Sequence, residues 1–467
     1  MASLDAWIEG QQVRAVAGML MSISPVHIVK MRAGFGQRVQ PRRGAVVASP
    51  VLAAYDPDPD YFFHWYRDSA VVIDCLRLLH AAGQIDDTAV AHLADFVDFS
   101  RSLQGLDGRA LAAAPQWRAK VAPDFTRYLR SDADLAAAHG TAVAAETRVN
   151  PDGTLDISRW NRPQHDGPPL RALALLRWLR HGTARGAIGA PLAAQIAALL
   201  QSDLEFTGAH WQAASFDIWE EESGLHYYTL RVSAAALAEG AAWHAEQGDV
   251  ARAQALGAQA RQILATLDGY WLPAQGHYRS RVLPGGARSA KELDIAVILA
   301  AIHADGVAGA EAADGNADVH GDAGLAHGVR DPRMHATLAR LEAVFDAEYA
   351  INHRRAAHTA PAMGRYAGDV YYSGGAYYFS TLGAAEFCFR AATPGAGAVS
   401  WLRRGNAFLE AVRAYTPASG DMSEQFDRNT GAQTSARHLA WSYAAFLSCA
   451  AARAAAIGLT GTAHGAG

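Results

Sequence analysis

Apolar residues recur at helical spacing along much of the chain. Leu93, Phe96, Val97 and Ser100 fall on one helical face, as do Leu192, Ile196, Leu199 and Leu200, and again Leu256, Ala260, Ile263, Leu264 and Leu267. Positions three and four apart meet on one side of a 3.6-residue helix, so each set marks a stripe that needs burial. Leu4 and Trp7 start the same pattern at the N-terminus. Period-two alternation, the mark of a half-buried strand, is rare. Abundant alanine suits helices by propensity. The pattern predicts about a dozen helices and an all-α fold.

The stretches between the stripes are unusual as linkers. YFFHWYRDS, WNRPQHDGPP, FDIWEEESG, GRYAGDVYYSGG and SGDMSEQFDRNTG each join aromatics to acids and arginines beside a helical pattern. Such loops on a helical scaffold point to binding or catalysis more than to connection. One stretch differs. His303 to Asp331 is rich in Gly, Ala, Asp and His and reads as a flexible insertion. The spacing of His320 and His327 matches no closed metal site, so both are expected as surface histidines. Residues 1–457 are expected to form one domain, and 458–467 a frayed tail of small residues.

Composition narrows the partners. Half of the 467 residues are hydrophobic, enough for a large core. A formal net charge of -5 implies no basic surface, so nucleic acid and anionic membrane are not expected partners. No stretch reads as the roughly 20 apolar residues of a membrane span. Cys75, Cys388 and Cys449 stand in apolar runs and read as buried free thiols, which favours a reducing compartment. The N-terminus lacks the basic start and apolar run of a signal peptide. A cytoplasmic protein is expected if Met1 is the natural start, and a secreted or periplasmic one if a leader was removed.

A neutral polar ligand fits this charge balance. Aromatic rings stack on sugar faces, and carboxylates and arginines bind hydroxyls. Cleaving a glycosidic bond then needs two carboxyl groups, one protonated and one ionised. The loops supply this set, with Trp65, Trp160, Trp219, Tyr371 and Trp441 as platforms and Arg67, Asp68, Arg162, Asp166 and Arg365 as hydroxyl binders. Glu220, Glu221, Glu222 and Glu424 are the candidate carboxylates. Each has a plainer reading on its own. Arg67-Asp68 reads as a local ion pair, the glutamate run as a solvated face or first helical turn, and Ser423 as a helix cap. Pro168 and Pro169 read as the first turn of a helix. Together the loops favour a sugar-active enzyme.

Five blocks, in order from DYFFHWYRDS to SEQFDRNTGAQTSARHLAWSYAAFLS, resemble glycoside hydrolase family 15, the glucoamylases. DYFFHWYRDS is similar to that family's D-Y-F-x-x-W-x-R-D-S/A, and WNRPQHDGPPLRA to W-G-R-P-Q-x-D-G-P-A-L-R-A. DIWEEESGLHYYT is similar to D-L-W-E-E-x-x-G-x-x-F/Y-F-T, and GDVYYSGGAYYFSTLGAAE to E-D-x-Y-Y-x-G-N-P-W-F-L-x-T-L-A-A-A-E. The last block carries S-E-Q-Y/F-D and S-A-R. The resemblance implies a catalytic (α/α)6 barrel of six inner and six outer helices. It makes Glu220 the general acid, Glu221 a contact at the adjoining subsite, and Glu222 a solvated residue at a variable position. Glu424 becomes the general base and Ser435 its hydrogen-bonding partner. Tyr61, Trp65, Arg67 and Asp68 match the pocket around the terminal sugar. Trp160, Arg162 and Asp166 match a binding surface, and Arg365 and Asp369 match hydroxyl and subsite contacts.

The implied reaction is inverting and releases β-D-glucose from non-reducing ends of α-1,4-glucans or maltooligosaccharides, with no metal or cofactor, by a monomer. The carboxyls of such a pair stand roughly 6.5–9.5 Å apart, leaving room for water. Glu221 beside Glu220 and Trp219 over it are expected to help it keep its proton. Three stretches depart from the family. G-N-P-W is Gly374-Gly375-Ala376-Tyr377, P-E-D is Ala367-Gly368-Asp369, and His438 replaces an aspartate. These are expected at the pocket rim and leave isomaltosides, dextran or trehalose as alternative substrates. With no starch-binding domain expected after Leu447, soluble dextrins are expected over granular starch. A non-catalytic sugar-binding protein is the alternative of another class. A metal-dependent hydrolase using the His-rich stretch is a third reading, one that predicts inhibition by chelators.

Overall fold

The structure, a computed structural model, describes residues 3–53, 58–305, 326–393 and 397–464. Its contacts gather into two compact units. One joins Leu20–Gly224 to Ala236–Gln259; the other holds the rest.

The long helices come in two kinds. In the first unit Tyr66–Ala81 and Gly167–Ala184 are buried on nearly every side, whereas Thr88–Leu103 and Ala190–His210 bury one stripe. A helix buried all round is an inner element, and an amphipathic one covers it. Leu93, Phe96, Val97 and Ser100 form the buried stripe of one outer helix, and Ile196, Leu199 and Leu200 that of the other. The proline pair does sit in the first turn of Gly167–Ala184. The second unit repeats the scheme. Ala296–Asp305 and Tyr378–Ala391 are buried almost throughout, while Pro332–Glu348 buries Met334, Thr337, Leu338, Leu341 and Phe345 along one side.

Inner and outer helices alternate along the chain. Five hairpins follow in order: Tyr66–Ala81 with Thr88–Leu103, Gly167–Ala184 with Ala190–His210, Tyr227–Glu246 with Val250–Asp268, Ala296–Asp305 with Pro332–Glu348, and Tyr378–Ala391 with Ala398–Tyr415. The last helix, Ala440–His464, takes the first, Leu4–Leu20, as its outer partner. Trp7 meets Phe446 edge-to-face at 5.6 Å, and Gly18 lies against Tyr443, where a Cβ would stand 2.5 Å from the ring.

Very short strands run straight into three inner helices. His64–Trp65 leads into Tyr66–Ala81, Ser223–His226 into Tyr227–Glu246, and Ala376–Tyr377 into Tyr378–Ala391. Their partners fix the register as His64↔Val149 with Trp65↔Arg148, and as Ala376↔Phe426 with Tyr377↔Gln425.

Several expectations change. Gly458–His464 is not frayed but continues the last helix, whose run AAARAAA has high helix propensity; residues 465–467 lie outside the described residues. Of the expected insertion, residues 306–325, with His320, also lie outside them. Its flanks are built in. His303 and Asp305 close one helix, and Asp331 caps the next by accepting the Arg333 N–H at 2.8 Å. His327 is buried rather than superficial. Its Nδ1 lies 2.9 Å from Tyr227 Oη, and its backbone N–H donates to Asp331 Oδ2 at 2.9 Å, so the burial is compensated by polar partners. Ala440–Leu459 does reach the length and apolarity of a membrane span, with mean hydropathy 1.3. Half of it is buried in the protein, where Trp441, Tyr443, Phe446, Leu447 and Cys449 pack inward. The three cysteines are free and buried, as expected.

Candidate active site

The glutamate run is a turn, neither a helix start nor a solvated face. Ser215↔Gly224 and Phe216↔Ser223 pair, and residues 217–222 close the hairpin. Asp217 holds this turn together. Its Oδ1 accepts the N–H groups of Trp219 and Glu221, each at 3.0 Å, and its Oδ2 accepts that of Glu222 at 3.3 Å. Its backbone N–H donates to Glu222 O at 3.1 Å, and its carbonyl accepts from Glu220 N–H at 2.9 Å. Glu222, expected in solvent, is half-buried.

Glu220 has a φ of 64°, the left-handed region that a non-glycine residue rarely enters. Asn161 Nδ2 pins its carbonyl at 2.6 Å. The carboxylate meets three donors. Trp65 Nε1 donates to Oε1 at 2.8 Å, Arg67 Nη2 to the same oxygen at 3.2 Å, and Trp160 Nε1 to Oε2. Tyr61 packs on Trp65 at 5.2 Å and stays half-exposed, as do Trp160, Trp219 and Glu221.

Arg67 serves three carboxylates. Asp68 lies at 3.3 Å, Asp166 at 3.4 Å and Glu220 at 3.2 Å. Burial raises the Asp68 carboxyl above its ordinary range, with Arg67 opposing and Glu220 adding to the effect. Burial pushes Asp166 up to about 6, against Arg67 and with Glu220 and Asp68. Asp166 stands at the N-cap of Gly167–Ala184 yet makes no side-chain cap bond. Only 1% exposed, it faces Arg67 and is a support for that side chain rather than an open sugar contact.

Arg162 is likewise not open to a ligand. It donates to Glu146 Oε2 at 2.7 Å and Asp156 Oδ2 at 3.1 Å, inside a buried network that also takes in Arg130. Arg148, which the sequence reading missed, sits in the same network. Its guanidinium lies 3.6 Å from the Trp160 ring centre, 4.0 Å from Phe63 and 4.9 Å from Trp65. No local motif marks it, because it reaches these rings only through strand pairing.

In the other unit Glu424 directly precedes the strand Gln425–Phe426 and is pinned at several points. Its N–H donates to Ala436 O at 2.7 Å, its carbonyl accepts from Tyr378 N–H at 3.2 Å, and Ser442 Oγ holds Ser423 O at 2.8 Å. Ser435 Oγ donates to Glu424 Oε2, from a backbone with φ of 65°. Ser423 caps no helix; its hydroxyl donates to Gln425 O at 2.5 Å. Arg365 makes two 2.6 Å bonds to Asp369, which also accepts from Tyr377 Oη at 3.2 Å, and Gln425 Nε2 donates to that hydroxyl at 2.8 Å. Tyr371 lies 5.3 Å from the Arg365 guanidinium.

The departing stretch is therefore not all rim. Ala376 and Tyr377 are buried beside Glu424, because they form the strand that pairs with Phe426 and Gln425. His438 shares a 2.8 Å hydrogen bond with Tyr443 Oη, which accepts Met422 N–H at 3.2 Å. Trp441 is 3% exposed and stacks on Phe379 at 4.3 Å, so it is packing rather than an open platform.

A carboxylate held by two indoles and a guanidinium in one unit, and a carboxylate held by a serine hydroxyl in the other, are groups of the kind that a glycoside hydrolase employs. Residues 144–451 match the family model of glycosyl hydrolases family 15, and the chain belongs to that family. It is 30% identical to a glucoamylase of Neurospora crassa over 88% of this chain and 63% of that protein, and 27% identical to a probable glucoamylase of Schizosaccharomyces pombe over 96% and 91%. The chain thus spans less than two thirds of the Neurospora protein. Among solved structures it resembles the glucoamylases of Hormoconis resinae (TM-score 0.72, 24% identity, 97% of this chain and 74% of that one) and Saccharomycopsis fibuligera (0.73, 20%, 98% and 97%). The fold is the (α/α)6 barrel.

Proposed function

We propose that the protein removes β-D-glucose from the non-reducing ends of soluble α-1,4-glucans and maltooligosaccharides with inversion. The reading is carried by the Glu220 turn, where a strained residue is held with both carboxylate oxygens on indole N–H groups. The names of the relatives supply the substrate class.

Glu220, protonated, gives its proton to the glycosidic oxygen as the bond from that oxygen to the anomeric carbon breaks. Glu424 takes a proton from the water whose oxygen joins that carbon from the opposite face. Ser435 orients Glu424. Tyr61, Trp160 and Trp219 offer ring faces and Glu221 a hydroxyl contact, whereas Trp65, Arg67, Asp68, Arg365 and Asp369 are buried among partners of their own. Trp160, Trp219 and Glu221 are half-exposed, which supports direct contact. The altered run Gly374–Tyr377 supports a second reading with the same chemistry on isomaltosides, dextran or trehalose. Free cysteines support a reducing compartment, and a monomer is the expected state in size-exclusion chromatography.

Hydrolysis of a maltooligosaccharide and disaccharide panel, with the first anomer followed by NMR, tests the proposal. Initial α-glucose overturns inversion, and a preferred disaccharide sets the linkage. Glu220→Gln and Glu424→Gln should each cost several powers of ten in kcat. Unchanged rates would overturn the assignment of Glu220 and Glu424, and no hydrolysis by the wild type would leave a sugar-binding protein.

A further inference from the structure

We infer that Arg148 is a positioning residue for the proton donor: its buried guanidinium clamps the two indoles whose N–H groups hold Glu220. The inference rests on the proposed role of Glu220.

Arg148 is 3% exposed and lies directly opposite Trp65 in the two-stranded pairing. It is fixed by its own partners. Nε donates to Asp156 Oδ2 at 2.9 Å and Nη2 to Ser158 Oγ at 3.2 Å. Asp156 is fixed in turn by the Ser158 N–H at 2.8 Å and by Arg162. Arg148 and Arg162 together hold the Asp156 carboxyl well below its ordinary range, although burial pushes it the other way. The Arg148 charge is therefore matched where it stands. What it offers the site is a rigid plane.

That plane meets Trp160 at 3.6 Å and Trp65 at 4.9 Å, with Phe63 at 4.0 Å. Trp65 and Trp160 donate to opposite oxygens of Glu220. One guanidinium thus sets the tilt of both rings, and with it the plane of the carboxylate. A cation on an indole face also draws density from the ring and strengthens its N–H as a donor. A lysine at this place keeps the charge but not the plane.

The experiment separates positioning from mere support. A maltooligosaccharide needs its leaving oxygen protonated, whereas α-glucosyl fluoride leaves as fluoride and needs the acid far less. Arg148→Met should lose on the order of 100-fold in kcat on maltotriose, the cost of a misplaced catalytic group, with KM within about threefold. On α-glucosyl fluoride it should lose less than about fivefold. Arg148→Lys should fall between Arg148→Met and the wild type on maltotriose. Equal losses on both substrates, or no loss on maltotriose, overturn the inference. If Arg148→Met does not fold, the same comparison with Arg148→Lys decides it. Glu220→Gln is the control. If it loses as much on the fluoride as on maltotriose, the assignment of Glu220 as acid fails, whatever Arg148 does.

Discussion

Replacing Asp217 with alanine removes the one acceptor shared by three backbone N–H groups of the acid turn, at 3.0, 3.0 and 3.3 Å. A hydrogen bond to a charged group is worth about 1.5–3 kcal/mol. The third bond is long and the turn is half-exposed, so water replaces part of the loss. A net cost of about 2–4 kcal/mol follows. The same bonds offset the left-handed backbone of Glu220, which costs about 1–3 kcal/mol by itself. Without Asp217 that strain relaxes, and the Glu220 carboxylate leaves its indole donors. A displacement near 1 Å lowers kcat on the order of 100-fold. Asp217→Asn keeps one oxygen but sets its amide near the Glu222 N–H, so it should lie between alanine and wild type. Steady-state hydrolysis of maltotriose beside thermal melting measures both effects. An Asp217→Ala enzyme with kcat within threefold of wild type would refute the reasoning.

Ser435→Gly keeps the φ of 65° and deletes only the hydroxyl on Glu424, so kcat should fall about 10- to 100-fold with KM little changed; an unchanged kcat counts against Ser435 as the partner of the base. Gly374 has φ of 58°, and a Cβ there would lie 2.0 Å from Asp369 O, so Gly374→Ala should destabilise by about 2 kcal/mol or more in denaturant melts and raise KM through the Arg365–Asp369 pair. Asp166 holds its proton up to about 6 when folded and releases it near 3.8 when unfolded, so its burial lowers stability as pH rises through that window. Buried His64 and His165 are pushed down to about 3 and 4, so the stability of their neutral state is present above 6.5 and lost as pH falls toward 4. Asp166→Asn removes one of the buried carboxyls that oppose the histidines, and melts between pH 4 and 7 should show acid unfolding beginning at higher pH than in the wild type.

The outer helices were legible because a single buried stripe leaves a period in the sequence. The turn around Glu220 was legible as a register, set by Asp217 and Trp219, although not as a left-handed turn, since a glutamate gives no sign of positive φ. Strands two residues long cannot show an alternation, so the pairing that puts Tyr377 beside Glu424 stayed hidden. Arg148 and His327 were missed for a related reason. Their surroundings come from segments far along the chain, and a charged or titratable residue in a polar stretch looks solvated until its partners are known. Trp441 misled in the opposite direction. A tryptophan in a block of site residues suggests a platform, yet it packs flat on Phe379.

The very short strands at the helix starts have a consequence for how the protein tolerates change. The helix pairs hold most of the apolar core, while the parts that place Trp65, Glu220 and Glu424 rest on a few pairing bonds at the helix ends. Damage there costs activity before it costs folding. In a random mutant library scored for both melting temperature and hydrolysis, folded but inert variants should cluster at these junctions, and variants inactive through unfolding should cluster in the inner helices. For a lineage drifting toward new substrates, that division leaves the junctions open to trial while the scaffold persists.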